Sequence, residues 1–216
     1  VLKALVARQL EIAPEKVRVH STWIGGAFGR RTYMEFALEA VALSRALGAP
    51  VKVIWSREDD MRHDHYRPAA TAAMRADIGA DGKLLGLDAR LVAPPVMTTM
   101  VGVVLPVMLP QWAPLGVGSL VEPLVAKYDP NLTEGVDSLP YALPYLRVEA
   151  LVSDPGIPVG VWRSVGHSQN AFFTESFVDE LAHALGEDPV RFRLERLGAD
   201  SRVRGALELL VRNGGW

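Results

Sequence analysis

The run GGAFGRR at residues 25–31 constrains this chain more than any other stretch. Before it, Val17, Val19, Ser21 and Trp23 alternate with the period of a strand. After it, Phe36, Ala40, Leu43 and Leu47 recur at helical spacing and predict one buried stripe. Thr32 and Glu35 stand at capping-box spacing, so the helix is expected to begin at Tyr33. Gly48 ends it, Pro50 prevents its resumption, and VKVIW at 51–55 reads as a second strand. The unit predicted is β–loop–α–β, a right-handed crossover. Glycines allow a tight turn and close backbone approach. A helix start offers unpaired N–H groups and a positive dipole end, and Arg30 and Arg31 add two charges suited to gripping phosphate. The loop therefore suits a phosphate or an anionic cofactor oxygen. The plainer alternative is a tight strand-to-helix turn with two solvated arginines. The spacing G-G-x-x-G does not match a dinucleotide fingerprint, and a P-loop is excluded by the absence of Gly-Lys-Ser/Thr.

The rest of the chain reads as mixed α and β. Leu2, Leu5, Val6 and Leu10 mark a short amphipathic helix. SREDDMRHDHYRP reads as a polar loop. Residues 70–79 and 84–92 read as strands joined at Asp81–Gly82, a strong hairpin signal. Residues 91–109 are almost wholly apolar, but Pro94, Pro95 and Pro106 argue against a membrane span and for a buried or partner-covered loop. Residues 146–153 alternate as another strand. PVGVWRSVGHSQN then reads as a second loop, followed by a helix carrying Phe173, Phe177, Val178, Leu181 and Leu185. Gly186 closes that helix, and Asp188–Pro189 supplies a cap and first-turn proline for the next. Residues 202–212 make a last amphipathic helix.

Several function classes are excluded or disfavoured. The formal net charge of -2 gives no electrostatic case for nucleic acid. The absence of cysteine removes disulfides, thiolate nucleophiles and cysteine-held clusters. His63 and His65 would fall on opposite faces of a strand with no third ligand, so no metal site is expected. Lone His167 reads as structural. Arg163 beside Trp162 carries a charge that is costly unless paired, and an anionic partner fits it.

Four stretches, GGAFGRR, PVKVIWSREDDMRHDHYRP, LPYALPYLRVEA and WRSVGHSQNAFFTESFVDELAHALGEDPVRFRLERL, together resemble the large, molybdenum-binding subunit of the xanthine dehydrogenase/aldehyde oxidase family. The branch they resemble most is that of the isoquinoline 1-oxidoreductase beta subunits and related aldehyde dehydrogenases. The resemblance implies an α+β fold, a mixed sheet with packed helices. Residues 1–92 would then be part of a first molybdopterin-binding domain, and 93–216 an apolar linker and the start of a second. It also implies a molybdopterin cofactor, including its cytosine dinucleotide form, with iron–sulfur clusters on a small-subunit partner. The implied reaction is oxidative hydroxylation of an aldehyde or N-heterocycle, with water as oxygen source. Cofactor contacts would carry over to Gly25, Gly26, Phe28 and Gly29 of the first loop, and to Arg163 and Gln169 of the second. The family's catalytic glutamate has no counterpart in this chain, so the chain alone is expected to be a non-catalytic fragment. Xanthine-oxidising members carry a glutamate where this chain has Arg30–Arg31–Thr32, and an aromatic residue where it has Val165, so a purine pocket is not expected. Two other classes stay open: a non-catalytic phosphate-binding module, and an interaction remnant without the catalytic C-terminus.

Overall fold

The computed structural model describes residues 1–110 and 117–214. Among these residues eight α-helices run in chain order: α1 Leu2–Leu10, α2 Glu35–Leu47, α3 Arg57–His63, α4 Met97–Met108, α5 Val117–Lys127, α6 Val165–Ala184, α7 Pro189–Arg196 and α8 Arg202–Gly214. Three strands, β1 Thr71–Ile78, β2 Leu84–Ala93 and β3 Leu146–Val152, form one mixed sheet in the order β1-β2-β3. The chain forms two compact units. Unit 1 holds residues 1–68, 94–129 and 154–163, and unit 2 holds 69–93, 130–153 and the chain from 164 on.

Unit 2 matches its sequence reading closely. β1 and β2 pair antiparallel through a turn in which Gly82 takes φ +78°. β3 pairs parallel with β2, which requires a long connection between them. The central strand β2 buries Leu84, Leu87, Ala89, Leu91 and Ala93. One apolar cluster joins Leu84 and Tyr141 to Val178, Leu181 and Ala182 of α6, and to Phe192 and Leu197. A second joins Leu87, Ala89 and Leu91 to Val136, with Phe173 and Phe177 against it. Asp188 caps α7 as expected, accepting from the N–H groups of Val190 and Arg191 at 3.0 and 2.9 Å.

Unit 1 departs from expectation in five places. Residues 17–23 and 51–55 pair with no strand among the described residues, because a period-2 pattern makes a ladder only where a second strand lies beside it. The helix after the glycine loop begins at Glu35, not Tyr33; Thr32 belongs to a short 3₁₀ turn, Arg30–Thr32. The expected buried stripe of α2 is not buried: Phe36, Leu43 and Leu47 are all exposed. The polar stretch after residue 55 contains α3, whose capping box is Ser56 with Asp59. The apolar stretch after residue 93 is a helix, α4. Its prolines at 94 and 95 precede the first turn, where no intrahelical N–H is required. There the Asp129 carboxylate accepts from the N–H groups of Val96 and Met97 at 2.6 and 2.7 Å. Among the described residues, no helix is long and apolar enough to cross a membrane.

Candidate cofactor site

The glycine loop is shaped by three different constraints. Gly29 takes φ +88°, and a Cβ there would run into the Val161 carbonyl, with its carbon at 2.6 Å and Trp162 Cα at 2.9 Å. No side chain fits, so residue 29 is glycine because a second loop lies against it. Gly26 is covered by the ring of Phe28, whose Cε2 would lie 2.5 Å from an added Cβ. Phe28 itself holds φ +50°, a costly conformation for a bulky residue. A Cβ added at Gly25 would meet nothing within 4 Å among the described residues, so none of them explains its lack of a side chain.

The second loop of unit 1, residues 158–163, is fixed to residues 65–67. The N–H of Tyr66 donates to Pro158 O at 2.8 Å, and that of Gly160 donates back to Tyr66 O at 3.0 Å. Trp162 Nε1 donates to His65 O, and Arg67 donates to Arg163 O. Tyr33 is buried at the centre. Its ring stacks on His65 at 4.2 Å, and its hydroxyl lies 2.8 Å from Val161 N and 2.7 Å from Thr99 Oγ1. A Cβ at Gly160 would sit 2.6 Å from His65 Cβ and 3.1 Å from the Tyr33 ring. Sequence reasoning missed Tyr33, His65 and Gly160. The available signal was a glycine between two valines, in PVGVW, opposite an aromatic residue at a loop exit.

This packing brings Gly25, Gly26, Phe28 and Gly29 together with Arg163. The Arg163 guanidinium stands 5.7 Å from the centroid of the Phe28 ring, within cation–π range. Both side chains are exposed.

The paired arginines divide their roles. Arg30 is bound by carboxylates: Nε meets Asp64 at 2.6 Å and Nη1 meets Glu35 at 2.8 Å. It is therefore not the free phosphate grip that the sequence suggested. Glu35 also faces His65 Nε2 at 3.4 Å, which explains why it does not reach back to cap at Thr32. Arg31 is exposed, with its guanidinium 6.0 Å from the Phe36 centroid. A groove of about 320 Å³ beside it is lined by Phe36, Glu39, Val53 and Trp55. Trp55 donates to Glu39 at 2.9 Å, so acidic groups offset the arginines there. Among the described residues, no cluster of histidine and carboxylate could hold a metal ion.

Gln169 lies in unit 2. The sequence placed it on a loop, but α6 already begins at Val165, so it is a helical residue. The start of α6 is strained and tightly held: Ser164 and Val165 take φ +68° and +37°. A Cβ on Gly166 would collide with the Asn131 carbonyl. The Gly166 N–H donates to Glu134 at 2.9 Å, and His167 Nδ1 stands 3.3 Å from the same carboxylate, in keeping with a structural histidine. Gln169 Oε1 is buried and has no hydrogen-bond partner among the described residues. An unsatisfied buried amide oxygen costs about 1–3 kcal/mol, so a donor is called for there.

Residues 1–106 match the family model described as the molybdopterin cofactor-binding domain. The chain is 30% identical to isoquinoline 1-oxidoreductase subunit beta of Brevundimonas diminuta, over 96% of this chain and 24% of that protein. It is 31% identical to the membrane-bound aldehyde dehydrogenase (pyrroloquinoline-quinone) of Gluconacetobacter polyoxogenes, over 93% of this chain and 24% of that one. Its fold superposes on quinoline 2-oxidoreductase from Pseudomonas putida 86 with a TM-score of 0.68 and 22% identity, covering 99% of this chain and 27% of the other. The chain thus spans about a quarter of the length of the curated relatives it matches. With the fold, the family model and the relatives in agreement, residues 1–106 match the molybdopterin cofactor-binding domain, and the chain as a whole is similar to a segment of the molybdenum-binding subunits of the xanthine dehydrogenase/aldehyde oxidase family.

Proposed function

We propose that this segment supplies two cofactor-facing loops to a molybdenum hydroxylase, and that Gly25, Gly26, Phe28, Gly29, Arg163 and Gln169 are its cofactor contacts. The observation carrying this reading is the locking of the glycine loop onto residues 158–163 at Gly29, which sets Phe28 beside Arg163. The residues suit a large anionic group. Among the described residues nothing meets a Cβ at Gly25 and nothing donates to the Gln169 amide oxygen, which suits a donor such as a ring N–H, and the planar Arg163 guanidinium suits negative charge. Molybdopterin supplies two-electron redox chemistry when bound, while the protein's part is to orient it and exclude competing contacts. Arg163 would hold negative charge. The glycine edge would admit the ring system close to the main chain. Gln169 would fix its rotation.

The parent protein is proposed to hydroxylate an aldehyde or an N-heterocycle, taking oxygen from water and passing electrons to an iron–sulfur small subunit. The names of the relatives, which include an isoquinoline oxidoreductase and a nicotinate dehydrogenase, support that substrate class. The cytosine dinucleotide form of the cofactor belongs to the same proposal. So does a division by descent, with residues 1–92 in the first cofactor-binding domain and 93–216 as linker and start of the second; the family model ends nearby, at residue 106.

The test is Arg163→Ala in the full-length parent, with molybdenum and pterin measured per folded molecule. A substantial fall is expected. Arg57→Ala, on an exposed side chain paired within α3, is the control and should leave both unchanged. Arg204 would be a poor control, because it donates to the Leu194 carbonyl at 2.6 Å and ties α8 to the end of α7. Near-native cofactor content in Arg163→Ala would remove Arg163 from the site.

A further inference from the structure

We infer that Tyr33 is a positioning residue: one hydroxyl that sets the distance between the glycine loop and the Arg163 loop, and through it cofactor loading. The inference rests on the cofactor reading above but uses contacts that reading does not need. Proton counting fixes the direction of the hydrogen bonds. The Thr99 hydroxyl has one proton, and it goes to Val96 O at 2.6 Å. Thr99 Oγ1 must therefore accept from Tyr33 at 2.7 Å. The Tyr33 oxygen, its own proton committed, accepts from the Val161 N–H at 2.8 Å. The result is a single directed chain, Val161 N–H to Tyr33 to Thr99 to Val96 O, whose members strengthen one another. Val96 in turn is anchored through its N–H to Asp129.

The hydrogen-bonded chain begins at Val161, the residue whose carbonyl faces Gly29. Tyr33 leaves the glycine loop three residues after its 3₁₀ turn begins, and it holds the opposing loop by its main chain. Stacking on His65 fixes the ring plane, and Gly160 lets the backbone pass beside both rings. Removing one oxygen atom would free Val161 without emptying the ring's place. Phe28 and Arg163, one on each loop, would then no longer be held in register.

The experiment uses the full-length parent with Tyr33→Phe and Thr99→Val. Amide exchange at Val161, molybdenum per folded molecule and melting temperature are read for each. Tyr33→Phe is expected to speed Val161 exchange by about fivefold to tenfold, from the loss of one hydrogen bond. Molybdenum content should fall several-fold. Thr99→Val keeps the oxygen that Val161 uses, so it should lower melting temperature as much but loading far less. That split separates positioning from simple stability. The inference is overturned if Tyr33→Phe loads normally, if loading falls with Val161 exchange unchanged, or if the two variants lose loading in proportion to their melting temperatures. A wild-type parent without molybdenum or pterin would sink the cofactor reading and this inference together, whereas a loaded wild type with a fully loaded Tyr33→Phe sinks this inference alone.

Discussion

Gly29 in unit 1 and Gly166 in unit 2 are both pressed against a backbone carbonyl, yet they are held there by different means. Gly166 opens a 20-residue helix, and α6 is pinned by two apolar clusters and by Asn170, whose amide donates to the carbonyls of Leu132 and Glu134. Gly29 lies in a loop held by a hydrogen-bonded chain, a stacked pair of rings and an ion pair. Apolar packing is non-directional and shares load among many atoms. A directed polar clasp depends on individual atoms, and it fixes loop separation more sharply than a greasy contact does. Apart from Gln169, unit 2 should therefore answer substitution mainly in stability, and unit 1 mainly in what its loops hold.

The largest effect expected is at the two glycines. Gly29→Val forces a branched side chain into the Val161 carbonyl at a φ that β-branched residues avoid, for a cost of about 3 kcal/mol or more. Denaturant midpoints of the parent should fall, and molybdenum per folded molecule should fall further than stability explains. Gly166→Ala should cost about 1–3 kcal/mol through overpacking. Gly48→Ala, at φ +63° with nothing within 4 Å among the described residues, should lose about 1 kcal/mol of stability to helix-end strain and keep full loading. If Gly29→Val behaves like Gly48→Ala, the loops are not pressed together as described.

Next in size is Arg193, buried in unit 2 with its Nε 2.9 Å from Glu175 and its Nη1 2.6 Å from Asp179. It also donates to the Pro189 and Glu175 carbonyls. Arg193→Ala strips four acceptors at once. Its two carboxylate partners are half exposed, which softens the loss to about 2–3 kcal/mol. Cofactor per folded molecule should not change. A selective loss of loading there would break the division of labour between the units.

Unit 2 was legible in the sequence because its signals are local. Asp81–Gly82 marks a turn whatever lies around it, Asp188–Pro189 caps a helix from within, and the α6 periodicity runs long enough to be unambiguous. Unit 1 was less legible because its decisive contacts join residues far apart in sequence. Tyr33 meets Val161 across 128 positions. Ser56–Asp59 forms the capping box that Thr32–Glu35 only resembles, because Glu35 is drawn to Arg30 and His65 instead. The alternation at 17–23 signals a strand, but a strand is defined by its neighbour. Of the candidate site, the glycines and Arg163 could be named from sequence. Why Gly29 must be glycine could not, since the reason lies on another loop.

A smaller effect concerns pH. The Tyr141 phenol in unit 2 is pushed from its ordinary value of 10.0 up to about 12, by burial first and then by the Glu175 carboxylate it donates to. A raised phenol value means that the native state keeps its proton where the unfolded chain has lost it. The contribution is therefore complete below pH 10 and disappears as pH climbs towards 12. Denaturation midpoints should fall across that window in wild type and fall less in Tyr141→Phe. Parallel curves for the two proteins would show that Tyr141 is not the group responsible.

The smallest effect separates the paired arginines and tests the polar clasp at its edge. Arg30 is half of a network with Asp64 and Glu35, and its side chain is only 23% exposed. Arg30→Ala leaves two carboxylates without their cation, so a loss of about 1–2 kcal/mol is expected, together with a looser glycine loop. Arg31 is exposed, pairs with no carboxylate among the described residues, and rests near Phe36. Arg31→Ala should change stability by no more than about 0.5 kcal/mol. If the loop attracts an anionic cofactor by charge at all, Arg31 is the member of the pair still able to do so. Its removal should then slow cofactor insertion at low salt and have little influence at high salt, where exposed charges are screened within about one Debye length. The measurement is the rate of molybdenum incorporation into the apo-parent at two ionic strengths, for wild type and Arg31→Ala. Identical rates at both would leave the loop's role to shape alone: Gly25 and Gly26 admitting the group, and the clasp at Gly29 holding the opening to size.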